Sequence, residues 1–254
     1  MNVLEVRGIS KSFGGVKAVT DFSMTMKEND IIGVIGPNGA GKTTIFNVIS
    51  GVYKQDSGQI FLGENDITNK EQHERARLGV ARTFQNIRLF KGLSLLENVS
   101  AALDPTARYN IFHNILLSRK MRMEEKRIKE ESERFLELVG LLKYQAEKPE
   151  NLSYGYQRKL EIARALAIKP KVLLLDEPAA GLNPKEVVDL INLIRKISQD
   201  LDLSILIIEH RMEVIMELCR FIYVQNFGKT IAYGTPKEIQ ENEEVIKAYL
   251  GEED

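Results

Sequence analysis

The chain has 254 residues, 43% of them hydrophobic and 28% charged, and a formal net charge of −1. That length suits one large α/β domain, or a core with an inserted subdomain, and it buries a core without disulfides or structural metal. The balanced charge excludes bulk electrostatic binding of nucleic acid, and a lone cysteine, Cys219, excludes an internal disulfide and suits a reducing cytosol. No apolar run approaches the roughly 18 residues that span a bilayer. The start, Met1-Asn2-Val3-Leu4-Glu5-Val6-Arg7, alternates like a strand and lacks the apolar region of a signal peptide. If the protein serves a membrane process, another chain is expected to supply the membrane part.

In chain order, Val3 to Ser10 and Val16 to Met26 alternate apolar and polar residues, which predicts antiparallel strands joined through Gly14-Gly15. Phe13, just before that turn, has two readings: local packing, or a face on which a nucleobase stacks. Ile31-Ile32-Gly33-Val34-Ile35 reads as a buried strand, Gly36-Pro37-Asn38-Gly39-Ala40-Gly41 as a loop, and Lys42-Thr43-Thr44-Ile45-Phe46 as the opening of a helix that stops at Gly51. Gly36, Gly41, Lys42 and Thr43 fit G-x-x-x-x-G-K-[ST], the phosphate-binding loop. A chance match in such a chain is on the order of one in a hundred, given the usual glycine frequency.

Each residue type in that loop has a chemical reason. Glycines let backbone N–H groups turn toward one point without Cβ clashes. The helix start adds partial positive charge. Lys42 is suited to the β- and γ-phosphates and the Thr43 hydroxyl to Mg²⁺. A nucleoside triphosphate is the expected ligand.

Further on, Ser57 to Leu62 reads as turn and strand, Lys70 to Leu78 as a short charged helix and Val80 to Phe84 as a short strand. Composition shifts near Gln85. From Ser94 to about Ala146 the pattern is helical, with Ile128, Phe135, Leu138 and Leu142 at helical spacing and Glu125–Lys129 and Glu130–Arg134 as exposed pairs. Ser153 is a natural N-cap for a helix reaching Ile168, with Leu160, Ala163 and Ala167 on its buried side.

Lys171 to Pro178 reads as a buried parallel strand that ends in Asp176-Glu177, at the edge where open α/β sheets bind ligands. Asp176 is suited to Mg²⁺ and Glu177 to polarising an attacking water. A loop, Ala180 to Pro184, enters a helix from Lys185 to Ile197. A second buried strand, Ser204 to Ile208, ends in Glu209-His210. His73 and His113 lie in mixed-polarity helical contexts and are expected at the surface. Closing strands at Phe221 to Gln225 and Lys229 to Gly234 and short helices up to Leu250 complete the chain.

This order of elements resembles an ATP-binding cassette (ABC) ATPase over essentially the whole chain. The resemblance implies an α/β P-loop fold in a single domain, 1–254. A mixed core sheet and an N-terminal antiparallel β subdomain would come from 1–85 and 158–254, and an inserted helical signature subdomain from 86–157. By the same resemblance, Phe13 matches the adenine-stacking aromatic and Gly36, Pro37, Asn38, Gly39, Ala40, Gly41, Lys42, Thr43 and Thr44 match the Walker A loop. Gln85 matches the Q-loop glutamine, which touches Mg²⁺ and reports to a transmembrane partner. Ser153 and Gly155 match the signature that contacts the γ-phosphate held by an opposing subunit. Asp176 and Glu177 match Walker B and the catalytic glutamate, Ala180 to Asn183 the D-loop, and His210 the switch histidine.

The resemblance also implies ATP and Mg²⁺ as ligands and a dimer with a second copy or a related ATPase. It implies permease subunits as partners, a solute-binding protein as an indirect partner, no nucleic acid, and a place on the cytoplasmic face of the membrane. Tyr154 and Tyr156 depart from the usual Leu-Ser-Gly-Gly-Gln signature. Ala81-Arg82-Thr83-Phe84-Gln85, Tyr154-Gly155, Ala179 to Pro184, Ile208-Glu209-His210 and Ala248-Tyr249-Leu250-Gly251-Glu252 look like the LivG-type ATPases of branched-chain amino-acid importers. Arg211 stands where that group often has Asp. Rival expectations are the ATPase of a lipopolysaccharide exporter, a non-transport ABC ATPase and a P-loop kinase. Ile87, Leu89 and Phe90, with Ile111, Phe112, Ile115 and Leu116, are either internal packing of the insert or a groove for a permease helix.

Overall fold

The computed structural model describes residues 1–85, 87–103 and 119–250, with backbone alone for 119–121 and Leu250. Ile111, Phe112, His113, Ile115, Leu116, Gly251 and Glu252 lie outside the described residues. The chain divides into two compact units, 1–85 with 170–254, and 86–169.

In the first unit, β1 (Asn2–Phe13) and β2 (Val16–Lys27) form the expected hairpin. With β4 (Ser57–Leu62) and β5 (Asn65–Asp66) they make a four-stranded antiparallel sheet in the order β2-β1-β4-β5. The second sheet has six strands. It contains β3 (Ile31–Ile35), β6 (Val80–Arg82), β7 (Val172–Asp176), β8 (Ser204–Ile208), β9 (Phe221–Asn226) and β10 (Lys229–Gly234), ordered β10-β9-β3-β8-β7-β6. All pairings are parallel except β9 with β10. Every residue of β3, β7 and β8 is buried, the continuous apolar signature of strands covered on both faces. Their C-terminal ends therefore share one edge, where Ile35, Asp176 and Ile208 hand over to loops.

α1 (Lys42–Ile49) follows the loop after β3. Its Ile45, Phe46, Val48 and Ile49 join Leu4, Phe22, Met24 and Ile60 of the antiparallel sheet and Leu174, Leu206 and Ile208 of the six-stranded sheet in one core. Truncating a side chain such as Phe46 there costs about 3–5 kcal/mol. Arg75 on α2 (Gln72–Leu78) is fully buried and donates to the Val48 and Ile49 carbonyls at 2.6 and 2.8 Å, closing the end of α1. Burial pushes its guanidinium down to about 10, so it is still charged at neutral pH.

α6 (Pro184–Asp200) begins with a capping box between Asn183 and Glu186. α7 (Met212–Leu218), α8 (Pro236–Gln240) and α9 (Glu243–Leu250) complete the first unit.

The second unit contains α3 (Leu95–Leu103), α4 (Arg119–Leu138) and α5 (Tyr154–Ala167), packed pairwise. Buried apolar residues include Leu95, Val99, Phe135, Leu136, Val139 and Leu160. α5 packs on α3 and α4, and this unit runs to Lys169, whereas the sequence reading divides the chain at 157. Ion pairs on α4 join Lys126 to Glu130, Lys129 to Glu133, and Arg127 to Glu124 and Glu131. They are shifted from the expected Glu125–Lys129 and Glu130–Arg134. Leu136 and Val139 are buried and Leu138 is half-buried. No described helix is long and apolar enough to cross a membrane.

Candidate functional site

The loop after β3 is shaped by backbone on both sides. Gly36 has φ 146°, and a Cβ there would lie 2.0 Å from the Gln225 carbonyl oxygen on β9. Gly41 has φ 99°, and its Cβ would lie 2.2 Å from the Ala18 carbonyl oxygen on β2. Only glycine fits either position. No side-chain bond caps the N-terminus of α1, and backbone N–H groups at such a start are best satisfied by an anion.

Lys42 is buried and donates from Nζ to the Gly36 and Pro37 carbonyls, both at 2.7 Å. A phosphate oxygen is a stronger partner for an ammonium than a neutral carbonyl, so an anionic ligand fits this cradle. Asn38, Gly39 and Thr43 are exposed, Thr44 is half-buried, and Pro37 and Ala40 are buried.

At the ends of the neighbouring strands, side chains distant in sequence meet. Gln85 Nε2 donates to Glu177 Oε2 at 2.7 Å, and His210 Nε2 lies 3.2 Å from Glu177 Oε1. Both carboxylate oxygens are thus engaged. Glu177 has φ 45°, a left-handed conformation that costs a residue with a Cβ about 1–3 kcal/mol. Its N–H donates to the Ile208 carbonyl at 2.9 Å and its own carbonyl accepts from Ala180 N at 3.1 Å.

The adjacent Asp176 is buried, and its Oδ2 accepts from Arg82 Nη2 at 2.8 Å. Arg82 Nη1 also donates to Asn47 Oδ1 at 2.6 Å and Ser50 Oγ at 3.1 Å. Arg82 therefore ties the helix after the phosphate loop to the Asp176 carboxylate. Asp176 and the hydroxyl of Thr43 are hard oxygen donors of the kind Mg²⁺ takes. No group of three or more His, Cys, Asp or Glu able to hold a metal occurs among the described residues.

Glu209, beside His210, is almost fully buried. Its Oε1 accepts from Ala179 N at 2.5 Å, and its Oε2 from the backbone of His210 at 3.0 Å and Arg211 at 3.2 Å. Burial pushes its carboxyl up, the Ala179, Arg211 and His210 N–H groups pull it down, and the Glu177 charge pushes it further up, with a net rise. Arg211 Nη2 donates to the Leu182 carbonyl at 2.8 Å.

Phe13 is partly exposed and packs edge-to-face on Tyr53, ring centroids 5.2 Å apart. Local packing and an open aromatic face are thus both present. His73 is at the surface, 3.4 Å from Glu71.

Ser153 and Gly155 belong to the second unit. Ser153 occupies the N-cap position of the helix that begins at Tyr154, but its side chain makes no capping bond. Gly155 is buried. The Tyr154 hydroxyl accepts from Arg158 at 3.2 Å, and Arg158, buried, pairs with Glu161 at 2.7 Å. Tyr156 lies against Tyr144, 5.5 Å between centroids.

Sequence reasoning assigned no role of their own to Arg82, Asn47, Tyr53 or Glu209. Glu209 carried a visible signal, an acid closing a buried strand just as Asp176-Glu177 do. The partners of Arg82 and Phe13 had none, because sheet order and helix placement create them.

Comparison with known proteins matches residues 19–180 to the ABC transporter family and residues 229–254 to the branched-chain amino acid ATP-binding cassette transporter family. The high-affinity branched-chain amino acid transport ATP-binding protein LivG of Salmonella typhimurium is 42% identical over 250 residues, 98% of each chain. The lipopolysaccharide export system ATP-binding protein LptB of Haemophilus influenzae is 35% identical over 256 residues, covering 100% of this chain and 99% of that one. Among solved structures, the ADP conformation of an ATP-binding cassette of an ABC transporter superposes with a TM-score of 0.86. It is 32% identical and covers 99% of both chains.

Proposed function

The chain belongs to the ABC transporter family, as one of its ATPases, and from that premise we propose that it drives import of branched-chain amino acids. Two observations support the cargo: the match of residues 229–254 to the branched-chain family, and higher identity to LivG than to LptB. The hydrolytic chemistry rests on the convergence of Gln85 and His210 on the two oxygens of Glu177.

In this reading Lys42 exchanges the Gly36 and Pro37 carbonyls for the β- and γ-phosphates of ATP. Thr43, Gln85 and Asp176 would hold Mg²⁺, which when bound would supply charge neutralisation at the phosphates. Glu177 orients and deprotonates the attacking water, one of its oxygens being released from Gln85 or His210 to accept that proton. His210, freed from Glu177, donates toward the γ-phosphate, and Lys42 with the loop amides stabilises charge on the departing diphosphate. Phe13 stacks the adenine.

Two cassettes, this chain with a second copy or a related ATPase, pack head to tail, so that Ser153 and Gly155 of one meet the nucleotide of the other. ATP favours the closed pair and hydrolysis releases it. The pair works on the cytoplasmic face of the membrane, coupled to permease subunits and, through them, to a solute-binding protein.

The permease docks beside the segment after Gln85. There Phe90, half-exposed, lies under the Arg164 guanidinium at 4.7 Å, and the buried Asn98 side chain bonds the Phe90 backbone from both its amide and its oxygen.

Uptake of radiolabelled leucine, isoleucine and valine tests the cargo, in cells lacking this chain and complemented with wild type or Glu177→Gln. Uptake restored only by wild type is expected. Restored leucine uptake with neither version, alongside a rescued outer-envelope defect, would move the assignment to lipopolysaccharide export.

A further inference from the structure

Glu177 occupies a left-handed backbone conformation that its own side chain does nothing to favour, so something in its surroundings must hold it there. Its N–H is tied to Ile208, at the end of the neighbouring strand. The next residue in the sheet-edge loop, Pro178, has no N–H to offer. The following amide, Ala179, donates to Glu209 Oε1 at 2.5 Å. The other oxygen of Glu209 binds the backbone of His210 and Arg211.

One buried carboxylate therefore joins the loop that carries Glu177 to the loop that carries His210, and those two side chains meet at 3.2 Å. Arg211 adds a second tie by donating to the Leu182 carbonyl. Neither Glu209 nor Arg211 has a part in the chemistry described above.

We propose that Glu209 is the positioning residue of the site, fixing the left-handed turn at Glu177 and the backbone of His210, with Arg211 extending the clasp to residues 179–183. The function follows from geometry. A buried anion is costly unless its oxygens are satisfied, and here backbone donors from both loops satisfy it, so neither loop moves without stranding the charge. The Glu177 carboxylate is thereby aimed before nucleotide arrives. This inference rests on Glu177 being the residue that activates water.

The test takes Glu209→Gln and Glu209→Ala beside Glu177→Gln, with ATP affinity, melting temperature and single-turnover hydrolysis as readouts. Gln keeps the volume and one acceptor, so this variant guards against simple unfolding. A misplacement near 1 Å costs about 100-fold in rate, so Glu209→Ala is expected to lose turnover on that order and Glu209→Gln less. ATP affinity should stay within about twofold, since a positioning residue acts on the rate and not on the phosphate cradle.

Wild-type turnover in either folded Glu209 variant overturns the proposal. A loss confined to ATP affinity does so too. Wild-type turnover in Glu177→Gln alone sinks the catalytic reading and this inference with it. A dead Glu177→Gln beside active Glu209 variants removes only the inference.

Discussion

The phosphate loop and the cluster around Glu177 lie on the same sheet edge but are built in opposite ways. The loop is one contiguous stretch, Gly36 to Thr44, whose partners are backbone carbonyls of Gln225 and Ala18. Its geometry is set by what cannot be there, a Cβ. The cluster is assembled from three separate segments, around residues 82–85, 176–179 and 209–211, through side-chain bonds of Gln85, Arg82, His210 and Glu209. Contiguity makes a site readable from sequence and tolerant of its surroundings, whereas assembly lets distant loops act together. The loop is therefore expected to govern nucleotide affinity, and the cluster the rate.

The largest break of that comparison on the binding side comes from Lys42→Ala. Charge-assisted bonds are worth about 1.5–3 kcal/mol each, so ATP affinity measured by calorimetry should fall roughly 100-fold. Unchanged affinity would mean that the loop amides alone hold the phosphates.

A smaller effect sharpens the same contrast. Phe13 was found by its place in the sequence, but Tyr53, which supports it, was not. Phe13→Ala should lower ATP affinity by about 1 kcal/mol, near fivefold, the scale of aromatic contacts beyond simple burial. Loss of triphosphate binding altogether would place the ring in the fold and not in the site.

The distinction also accounts for what was legible. Alternation in Val3–Ser10 and Val16–Met26 and the apolar runs of Ile31–Ile35, Val172–Leu175 and Ser204–Ile208 announced strands of both sheets, because burial writes itself into local pattern. The acids after β7 and the histidine after β8 stood out because polar residues closing buried strands are rarely structural filler. Sheet order was not legible. Without knowing that β8 and β6 flank β7, Glu209 could not be paired with Ala179, nor Arg82 with Asp176.

The helical unit was legible as helix but not in register. Its surface is rich in charges at every spacing, so the sequence offered several ion-pair patterns, and the structure shows Lys126–Glu130, Arg127–Glu131 and Lys129–Glu133. Ser153 shows the limit of capping rules. It sits at the N-cap position but leaves the capping bond unmade.

The division between binding and turnover is tested most directly by Glu177→Gln with Mg²⁺-ATP, followed by size-exclusion chromatography with quantification of bound nucleotide. The account predicts wild-type ATP affinity, no appreciable hydrolysis, and a persistent two-chain species carrying intact ATP. Hydrolysis at the wild-type rate, or a variant that no longer binds ATP, would contradict it.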